Sequence, residues 1–270
     1  MTKPFLKWVG GKRQLLTHIL PLIPKDADRI IEPFMGGAAV FFGSDVTSGW
    51  LNDVNQELVN CFQVVRNHPD ELIEALSAHI YDKDYYLSIR ALDRQTGGLA
   101  NLTEIARASR FIYLNRTGFN GMYRVNAKGQ FNVPFGRYTN PTICDESTIR
   151  ACSARLKKTD ITCSDFEAVC AAAHSDDFIY LDPPYIPVSD TAYFTDYADG
   201  GFDMNAQLRL AQAVSELADR GVRFVLSNSA TEQTEELYGQ FRLLEVKAKR
   251  AINSVADRRQ AVSEYIVTNI

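Results

Sequence analysis

Short runs of apolar and β-branched residues alternate along the chain with segments in which apolar residues recur at helical spacing. The short runs predict strands at 29–34, 49–53, 160–165, 177–182, 222–228, 241–248 and 264–270. The periodic segments predict helices over 55–66, 205–220 and 229–238. Because strands and helices alternate, we expect an α/β sheet with helices on both faces. The last two strands follow each other directly, which predicts an antiparallel edge strand on a mostly parallel sheet.

The interval between the second and third predicted strands is too long for a single crossover helix. Its first part, 67–113, shows no strand-like alternation and is predicted to be helical. Its second part, 114–141, is rich in glycine, asparagine and aromatic residues. A turn at 126–129, between the alternating residues of 123–125 and 131–133, indicates a β-hairpin. We therefore expect an inserted module that consists of helices and one hairpin.

The 270-residue chain carries a formal net charge of −4, which taken alone disfavours a nucleic-acid partner. Its basic residues are nevertheless concentrated in three segments, 1–25, 105–144 and 247–259. The first two contain no acidic residue, and the third contains only Asp257. The basic residues of the middle segment are Arg107, Arg110, Arg116, Arg124, Lys128 and Arg137. We expect the three segments to converge on a cationic groove for DNA; charges spread over a solvated surface are the alternative.

All apolar runs fall short of the roughly 20 residues that a membrane-spanning helix needs. The N-terminus lacks the apolar core of a secretory signal. We therefore expect a cytoplasmic protein with no membrane partner. The five cysteines are odd in number and form no C-x-x-C pair, which predicts buried, reduced thiols rather than zinc ligands or disulfides.

A glycine turn, Gly36-Gly37, follows the first predicted strand and precedes a helix. Glycines in this position let backbone N–H groups approach a ligand at the start of a helix. Glu32, before the turn, can accept an ammonium group, and Asp53, after the second strand, can accept two ribose hydroxyls. A dinucleotide site would need a third glycine, so a ligand that joins adenosine to an amino acid fits better. Phe34 lies in the same turn and is a further candidate contact for this cofactor.

Two other places are candidate contacts for the same cofactor. Asp165 and Phe166, at the end of the third strand, offer an acceptor and an aromatic face for an adenine ring. A helix-capping Asp followed by a core Phe explains this pair equally well. Trp8 and Lys12 flank a second Gly-Gly turn, where Lys12 can pair with a cofactor carboxylate and Trp8 can cover it. The alternative there is a helix cap with a buried Trp.

The sequence Asp182-Pro183-Pro184-Tyr185 directly follows the fourth predicted strand. Two prolines cannot continue a paired strand, so the chain turns here, at the carboxyl edge of the sheet where α/β proteins bind ligands. The amino group of adenine is a poor nucleophile because its lone pair is delocalised into the ring. The Asp182 carboxylate and the Pro183 carbonyl can hold this amine, while Tyr185 stacks on a base that has left the duplex. The turn therefore predicts methyl transfer to an sp² amine without a metal; a structural turn with an aromatic plug is the alternative.

The chain resembles the Dam family of DNA adenine-N6 methyltransferases from Phe5 to its C-terminus. The matching segments are Phe5-Leu-Lys-Trp-Val-Gly-Gly-Lys12, Glu32-Pro-Phe-Met-Gly-Gly37, Asn52-Asp-Val-Asn55, Asn132-Val-Pro-Phe-Gly-Arg-Tyr138 and Asp182-Pro-Pro-Tyr185. The resemblance implies a Rossmann-like catalytic domain at 1–56 and 145–270 and a target-recognition domain at 57–144. It also implies S-adenosylmethionine as cofactor, double-stranded DNA as partner, no obligate protein partner, and a place on the nucleoid of a bacterial or phage-infected cell. The implied cofactor contacts are Trp8, Lys12, Asp53 and Asp182.

The same resemblance implies how DNA is recognised. Arg124 takes the position that reads guanine, and Phe119 that of an aromatic residue inserted into the base stack. Further implied or candidate DNA contacts are Lys7, Arg116, Asn120, Met122, Pro134, Arg137 and Tyr138. The usual target of the family is 5′-GATC. Ala38 stands where many members have glycine in the cofactor turn, and Thr117 and Met122 vary in the hairpin, which bears on cofactor affinity and on sequence preference.

Two other functions remain open from the sequence. Enzymes that methylate cytosine N4 or protein glutamine favour Asn or Ser before Pro-Pro, and the glutamine enzymes lack so long an insertion. Asp182 and the hairpin therefore disfavour both. A DNA-binding relative that has lost its chemistry is the second alternative, and it is disfavoured because every residue that the chemistry requires is present.

Overall fold

The structure, a computed structural model, describes residues 2–8, 10, 12–187, 202–249 and 261–270. The strands are β1 (Arg29–Glu32), β2 (Gly49–Asn52), β3 (Thr159–Thr162), β4 (Asp177–Leu181), β5 (Arg223–Ser229), β6 (Arg242–Lys249) and β7 (Ala261–Thr268). The α-helices are α1 (Leu16–Ile19), α2 (Ala39–Gly43), α3 (Gln56–Asn67), α4 (Pro69–Ser77), α5 (Lys83–Ala91), α6 (Glu104–Thr117), α7 (Glu146–Leu156), α8 (Phe166–Ala171), α9 (Met204–Asp219) and α10 (Glu232–Tyr238). Short 3₁₀-helices lie at Lys12–Gln14, Leu20–Leu22, Leu92–Arg94, Gly98–Asn101 and Phe119–Gly121. None of the helices in these ranges has both the length and the apolar character needed to cross a membrane.

The strands form one seven-stranded sheet in the order β3-β2-β1-β4-β5-β7-β6. Strands β1 to β5 pair with one another in parallel, whereas β7 pairs antiparallel with both β5 and β6. The predicted α/β class, with antiparallel pairing at one edge, is confirmed. The structure adds that the antiparallel strand is β7 and that β6, which pairs with β7, is the last strand in the order.

Each predicted strand exists, but the first four end one to three residues earlier than predicted. The polar residues that follow them, among them Asp53, Asp165 and Asp182, therefore lie in loops at the carboxyl edge of the sheet. Strand β1 is flanked by β2 and β4, so the chain crosses in opposite directions after β1 and after β3. Loops at such a switch point diverge and leave a crevice, which is where open α/β sheets bind ligands.

The core lies on both faces of the sheet, as the alternation of side chains along a strand requires. Ile30, Phe178 and Tyr180 face a cluster that includes α2, α3 and α7. Ile31 and Ile179, one position along the same strands, face a second cluster formed with α8, α9 and α10. The prediction of helices on both faces is therefore confirmed.

The long interval between β2 and β3 begins with helices, as predicted, and continues with irregular chain after α6. It ends with α7, which leads into β3 and was not among the predicted helices. A small third cluster, with Tyr86, Tyr113 and Phe131 buried at its centre, joins α5 and α6 to the predicted hairpin. The hairpin exists as a turn closed by Gly129 N–H to the Asn126 carbonyl (2.8 Å) and by one isolated antiparallel bridge, without regular strands. The boundary at 56/57 coincides with the start of α3, and the division into two domains remains a prediction.

The buried side chain of Asn52, at the end of β2, ties three loops together. Its Nδ2 donates to the Pro33 carbonyl (3.0 Å) and to the Ser164 carbonyl (2.9 Å). Its Oδ1 accepts from the hydroxyl of Thr162 (2.8 Å) and from the N–H of Ser164 (3.0 Å). The Asn52 side chain therefore links the loops after β1, β2 and β3. It adds to two backbone hydrogen bonds, from Met35 N–H to the Asn52 carbonyl (2.8 Å) and from Asp53 N–H to the Thr162 carbonyl (3.3 Å).

A carboxyl group is buried beside these loops. Glu32, at the end of β1, is only 2% exposed, and its Oε1 accepts the N–H of Phe41 (2.7 Å) at the start of α2. Burial raises the pKa of Glu32 to about 8, although the hydrogen bond from Phe41 opposes the shift. In the absence of a cation this carboxyl is therefore mostly protonated at neutral pH.

Replacement of Asn52 by alanine should lower the free energy of unfolding by about 3 kcal/mol, because several buried polar groups lose their partner. Urea unfolding of the two proteins measures the difference. Asn140→Ala, at an exposed position, serves as the matched control and should leave stability nearly unchanged. Equal effects of the two substitutions would contradict the role assigned to Asn52.

Replacement of Glu32 by glutamine should change how stability depends on pH. The Glu32 pKa is raised on folding, so unfolding releases a proton between about pH 4.5 and pH 8, and the stabilisation present below this range is lost as pH rises. Between pH 5 and pH 8 the wild-type chain should therefore lose about 3 kcal/mol more stability than Glu32→Gln. Urea unfolding across this range tests the difference, with Glu236→Gln, an exposed replacement on α10, as control. Parallel curves for wild type and Glu32→Gln would show that the carboxyl is ionised in the fold.

Candidate functional site

The turn formed by residues 182–185, called the Asp182 turn, lies at the carboxyl end of β4, next to the loop that follows β1. The Asp182 carboxylate forms an ion pair with Lys12, whose Nζ is 2.8 Å from Oδ1. Lys12 also donates to the Gly10 carbonyl (2.8 Å) and is itself buried. Burial raises the pKa of Asp182, and the ammonium group of Lys12 opposes that shift. Lys12, a predicted cofactor contact, is thus held against the predicted catalytic carboxylate.

The rest of the turn is anchored at three points. The Pro184 carbonyl accepts from Gln207 Nε2 (2.9 Å), and the Ile186 N–H donates to Asn228 Oδ1 (3.0 Å). The Tyr185 hydroxyl donates to Glu264 Oε2 (2.8 Å), and Lys12 Nζ lies 4.5 Å from the centre of the Tyr185 ring. Within the described part of the chain the Pro183 carbonyl accepts no hydrogen bond. The turn therefore presents a carboxylate and a carbonyl from a fixed backbone.

The glycine turn after β1 is covered by Trp8. A Cβ placed on Gly36 would lie 2.7 Å from Trp8 Nε1, so a side chain at this position is excluded. Gly36 has a φ of +45°, and its N–H donates to Asp53 Oδ2 (3.1 Å). Gly37 is also close to Trp8, since a Cβ on this residue would lie 3.1 Å from the Trp8 Cβ. The prediction that Trp8, Gly36, Gly37 and Asp53 belong to one site is consistent with this geometry.

Ala38, which follows the glycine turn, adopts the left-handed conformation with φ +51°. A residue with a Cβ is disfavoured there by roughly 1 kcal/mol relative to glycine. This conformation is the physical reason to expect glycine at the same position in related chains.

Three aromatic rings from separate parts of the chain pack together: Phe34 after β1, Phe166 at the start of α8 and Phe202 before α9. Phe34 stacks on Phe166 with ring centres 5.3 Å apart, and Phe202 lies edge-on at 5.6 Å from Phe34. Asp165 caps α8 by accepting the Glu167 N–H (2.9 Å), and Phe166 is 4% exposed. The capping and core roles that were the alternative for Asp165 and Phe166 are therefore present. Contact of either residue with a cofactor remains a prediction.

In the middle basic segment, 105–144, half of the basic side chains bind groups of the protein itself. Arg107 pairs with Glu57, Arg110 pairs with Asp93 (2.8 Å), and Arg116 Nη2 donates to the Phe5 carbonyl (2.6 Å). Arg116, a predicted DNA contact, is 9% exposed. A buried guanidinium is not presented to a phosphate, so in this structure Arg116 supports the N-terminal segment. The charge count of the sequence overstated the cationic surface because it could not separate internal from external arginines.

The other basic residues of the segment, Arg124, Lys128 and Arg137, are exposed, as is Lys7. Arg124 Nε donates to Asn132 Oδ1 (2.7 Å), which leaves the far side of its guanidinium toward solvent. The remaining predicted contacts are exposed at Phe119, Asn120 and Pro134 and half-buried at Met122 and Tyr138. The third basic segment, 247–259, lies outside the described residues from Arg250 onward, so its part in a groove stays a prediction.

Asn115, a buried residue of α6, connects the N-terminal segment to the exposed turn. It accepts the Lys7 N–H (2.9 Å) and donates to the carbonyls of Lys7 (2.7 Å) and Gly121 (2.8 Å). Phe119 N–H donates to the Pro134 carbonyl (2.9 Å), and the side chain of Phe119 is 47% exposed. The exposed phenyl ring is therefore carried by a rigid turn.

Several supporting residues of the site could not be identified from the sequence. Asn115, Gln207, Asn228 and Glu264 bind the backbone or side chains of predicted site residues, yet none belongs to a motif. Their one signal is a polar residue at a position whose neighbours in the pattern are apolar and buried, as Gln207 is on the buried face of α9 and Asn228 is in β5. Of the five cysteines, Cys61, Cys152 and Cys170 are buried as predicted, whereas Cys163 is exposed.

Comparison with known proteins agrees with this arrangement. A family model for D12 class N6 adenine-specific DNA methyltransferases matches residues 8–252. The type II methyltransferase M1.LlaDCHI of Lactococcus lactis subsp. cremoris is 43% identical, over 99% of this chain and 95% of that protein. The DNA adenine methylases of Vibrio cholerae serotype O1 and Escherichia coli K12 are 36% and 33% identical, each over 98% of this chain and over 95% and 94% of their own lengths. The chain therefore belongs to the D12 class of N6 adenine-specific DNA methyltransferases.

Proposed function

We propose that this enzyme takes its methyl group from S-adenosylmethionine and transfers it to an adenine that has rotated out of duplex DNA within 5′-GATC. The observation that carries the proposal is the Asp182 turn, in which a largely buried carboxylate and a proline carbonyl lie beside the glycine turn. Membership of the family supplies the reaction and the DNA substrate. The surroundings of the turn support the cofactor and the flipped base, and the resemblance of the hairpin to the Dam family supports the target sequence.

The residues around the glycine turn fit S-adenosylmethionine, which when bound supplies a methyl group on a sulfonium. Asp53 would accept the ribose hydroxyls beside Gly36, whose N–H it already holds. Trp8 would cover the turn. Val54, directly after Asp53, is 72% exposed and offers an apolar face to an adenine ring.

The charges of the site favour a cationic ligand. Glu32 is buried, Asp182 is largely buried close to it, and Lys12 is the cation paired with Asp182. A bound cation would favour the ionised form of Glu32 and would offset the desolvation of both carboxylates. Phe34 and Phe166, with Asp165 at the surface, would form the adenine end of the same site.

Asp182 and Pro183 would prepare the adenine amine for transfer. Each would accept a hydrogen bond from one N–H of the adenine amino group. These two bonds would localise the nitrogen lone pair and direct it away from both acceptors. The amine must lose a proton when the new bond forms, and the raised pKa of Asp182 makes its carboxylate a better acceptor for that proton. Tyr185 would stack on the base; since Lys12 lies over one face of its ring, the base would use the opposite face.

The recognition surface would consist of exposed residues of the hairpin and the N-terminal segment. Phe119 is exposed on a rigid turn and would fill the gap that the departing adenine leaves in the stack. Arg124 would read guanine with the guanidinium edge that Asn132 does not use. Lys7, whose Nζ lies 4.3 Å from the centre of the Tyr138 ring, would contact a flanking base. Asn120, Met122, Pro134 and Arg137 would complete the surface.

We further propose that two parts of the chain form domains with different functions. Residues 57–144 would form the target-recognition domain, and 1–56 with 145–270 the catalytic domain. The separate cluster around Tyr86 and Phe131 supports a module that holds its own hairpin. The enzyme would work on the nucleoid of a bacterial or phage-infected cell.

The wild-type enzyme, incubated with labelled S-adenosylmethionine, should methylate a duplex that contains GATC and leave a scrambled duplex unlabelled. Mass spectrometry of the nucleosides should find N6-methyladenine. Asp182→Asn keeps an acceptor for Lys12 but weakens proton acceptance, so kcat should fall by at least about a hundredfold. Calorimetry and thermal unfolding of the variant serve as controls for cofactor binding and folding. Methylated cytosine or protein in the wild-type reaction, or near-normal turnover by Asp182→Asn, would refute the mechanism.

Arg124→Ala should relax sequence preference. Loss of a bidentate contact to guanine should reduce discrimination at that base pair by about 2 kcal/mol, while methylation of other sites is retained. The ratio of kcat/KM for GATC and for a duplex with the first guanine replaced measures the effect. Arg150→Ala, at an arginine of α7 paired with Asp70 and Glu146, is the matched control. An unchanged ratio in Arg124→Ala would show that another residue reads this guanine.

A further inference from the structure

We propose that Glu264 is a positioning residue that fixes the ring of Tyr185 over Lys12, so that a flipped base meets the ring in one orientation. The inference deepens the proposed function and rests on it for the role of Tyr185. Glu264 lies on β7, far along the chain from the Asp182 turn, and no sequence motif includes it. Its Oε2 accepts the Tyr185 hydroxyl at 2.8 Å.

The position of Glu264 is set by the sheet rather than by a loop. Strand β7 pairs on both sides, and Glu264 stands opposite Ser229 of β5 and Val246 of β6. A half-buried carboxylate carried by a strand that is bonded on both sides has little freedom to follow its partner. The acceptor is therefore fixed, and the Tyr185 ring adjusts to it.

The backbone of the turn does not depend on this contact. Gln207 holds the Pro184 carbonyl and Asn228 holds the Ile186 N–H, both from buried positions. Asp182 has its own ion pair with Lys12, which holds it in place, although, besides burial, the nearby Glu264 carboxylate also raises the pKa of Asp182. Loss of the Glu264 acceptor should consequently free the ring of Tyr185 while the carboxylate and the carbonyls of the turn stay in place.

A ring without this anchor is free to rotate about its Cα–Cβ bond. It is held on one side by the ammonium group of Lys12, 4.5 Å from its centre, which restrains distance but not the in-plane direction of the hydroxyl. The hydrogen bond to Glu264 supplies the missing direction. Since stacking needs a defined ring plane, Glu264 would affect the bound base and not the methyl donor.

The test compares Glu264→Ala with Glu264→Gln, whose amide oxygen still accepts a hydroxyl. Glu264→Ala should lower kcat about tenfold, as expected for a lost hydrogen bond to a charged acceptor, with KM for S-adenosylmethionine changed by less than about twofold. Glu264→Gln should restore most of the turnover. Glu245→Ala, which removes an exposed carboxylate from the neighbouring strand β6, is the matched control and should behave as wild type.

A double-mutant cycle locates the effect at Tyr185. Tyr185→Phe removes the donor, so it should resemble Glu264→Ala, and the double variant should be no slower than either single variant. Duplex DNA with 2-aminopurine at the target position adds a readout of stacking: emission should be higher with Glu264→Ala than with wild type or Glu264→Gln. Additive losses in the double variant, or equal emission in all proteins, would overturn the positioning role.

Crystal structures of the cofactor-free variants separate this inference from the proposed function. A Tyr185 ring that keeps its place over Lys12 in Glu264→Ala overturns the inference even if the enzyme methylates GATC. A displaced ring in Glu264→Ala and a retained one in Glu264→Gln support it without any substrate. Absence of adenine methylation by the wild-type enzyme would count against the proposed function alone.

Discussion

The carboxyl edge of this sheet is organised around one buried amide, the side chain of Asn52. Beyond the strand ends the regular ladder stops, and two backbone hydrogen bonds, Met35 N–H to the Asn52 carbonyl and Asp53 N–H to the Thr162 carbonyl, continue the connection. The Asn52 side chain strengthens it, since its two polar atoms bind the loops after β1 and β3 from the end of β2. Asp53 follows it directly and is placed against Gly36 as a result. The relative position of the Asp53 carboxylate and the glycine turn is thus set by the residue that precedes Asp53.

A second constraint is the distribution of charge between interior and surface. Buried ion pairs are seldom strongly stabilising, but removal of one partner leaves an uncompensated charge, so such pairs specify geometry. Lys12–Asp182 and Arg110–Asp93 both have this character, the first in the site and the second beneath the hairpin. Asp93 Oδ2 also accepts the Phe131 N–H at 2.8 Å, which fixes the base of the hairpin. In the middle basic segment, 105–144, the exposed cations are few, and they are concentrated on and next to the hairpin.

The order of strands and helices could be predicted from the sequence because period and turn chemistry are local properties. The Asp182 turn and the glycine turn were found for the same reason: each is a contiguous string. The supporting contacts could not be predicted, since Asn115–Lys7 and Tyr185–Glu264 join residues 108 and 79 positions apart. The burial of Arg116 could not be predicted for a related reason, because its partner is the backbone carbonyl of Phe5, which no pattern identifies. Its contact with DNA stays a prediction. Contacts between residues that are far apart in the sequence can be identified only from the folded structure, in which the sheet brings those residues together.

The hydrogen bonds of Asn115 to Lys7 bear on how the proposed DNA surface and the Asp182 site could be coupled. Lys7, on the surface proposed to contact DNA, and Lys12, at Asp182, are separated by a stretch of chain that cannot exceed about 18 Å. If DNA binding displaced Lys7, this short stretch would limit how far Lys12 could remain behind. Any such linkage is reciprocal: if cognate DNA strengthens the hold on the methyl donor, the donor must strengthen the hold on cognate DNA by the same factor. The preference for the cognate DNA sequence would then arise partly from cooperative binding of DNA and the methyl donor, coupled through the short segment between Lys7 and Lys12.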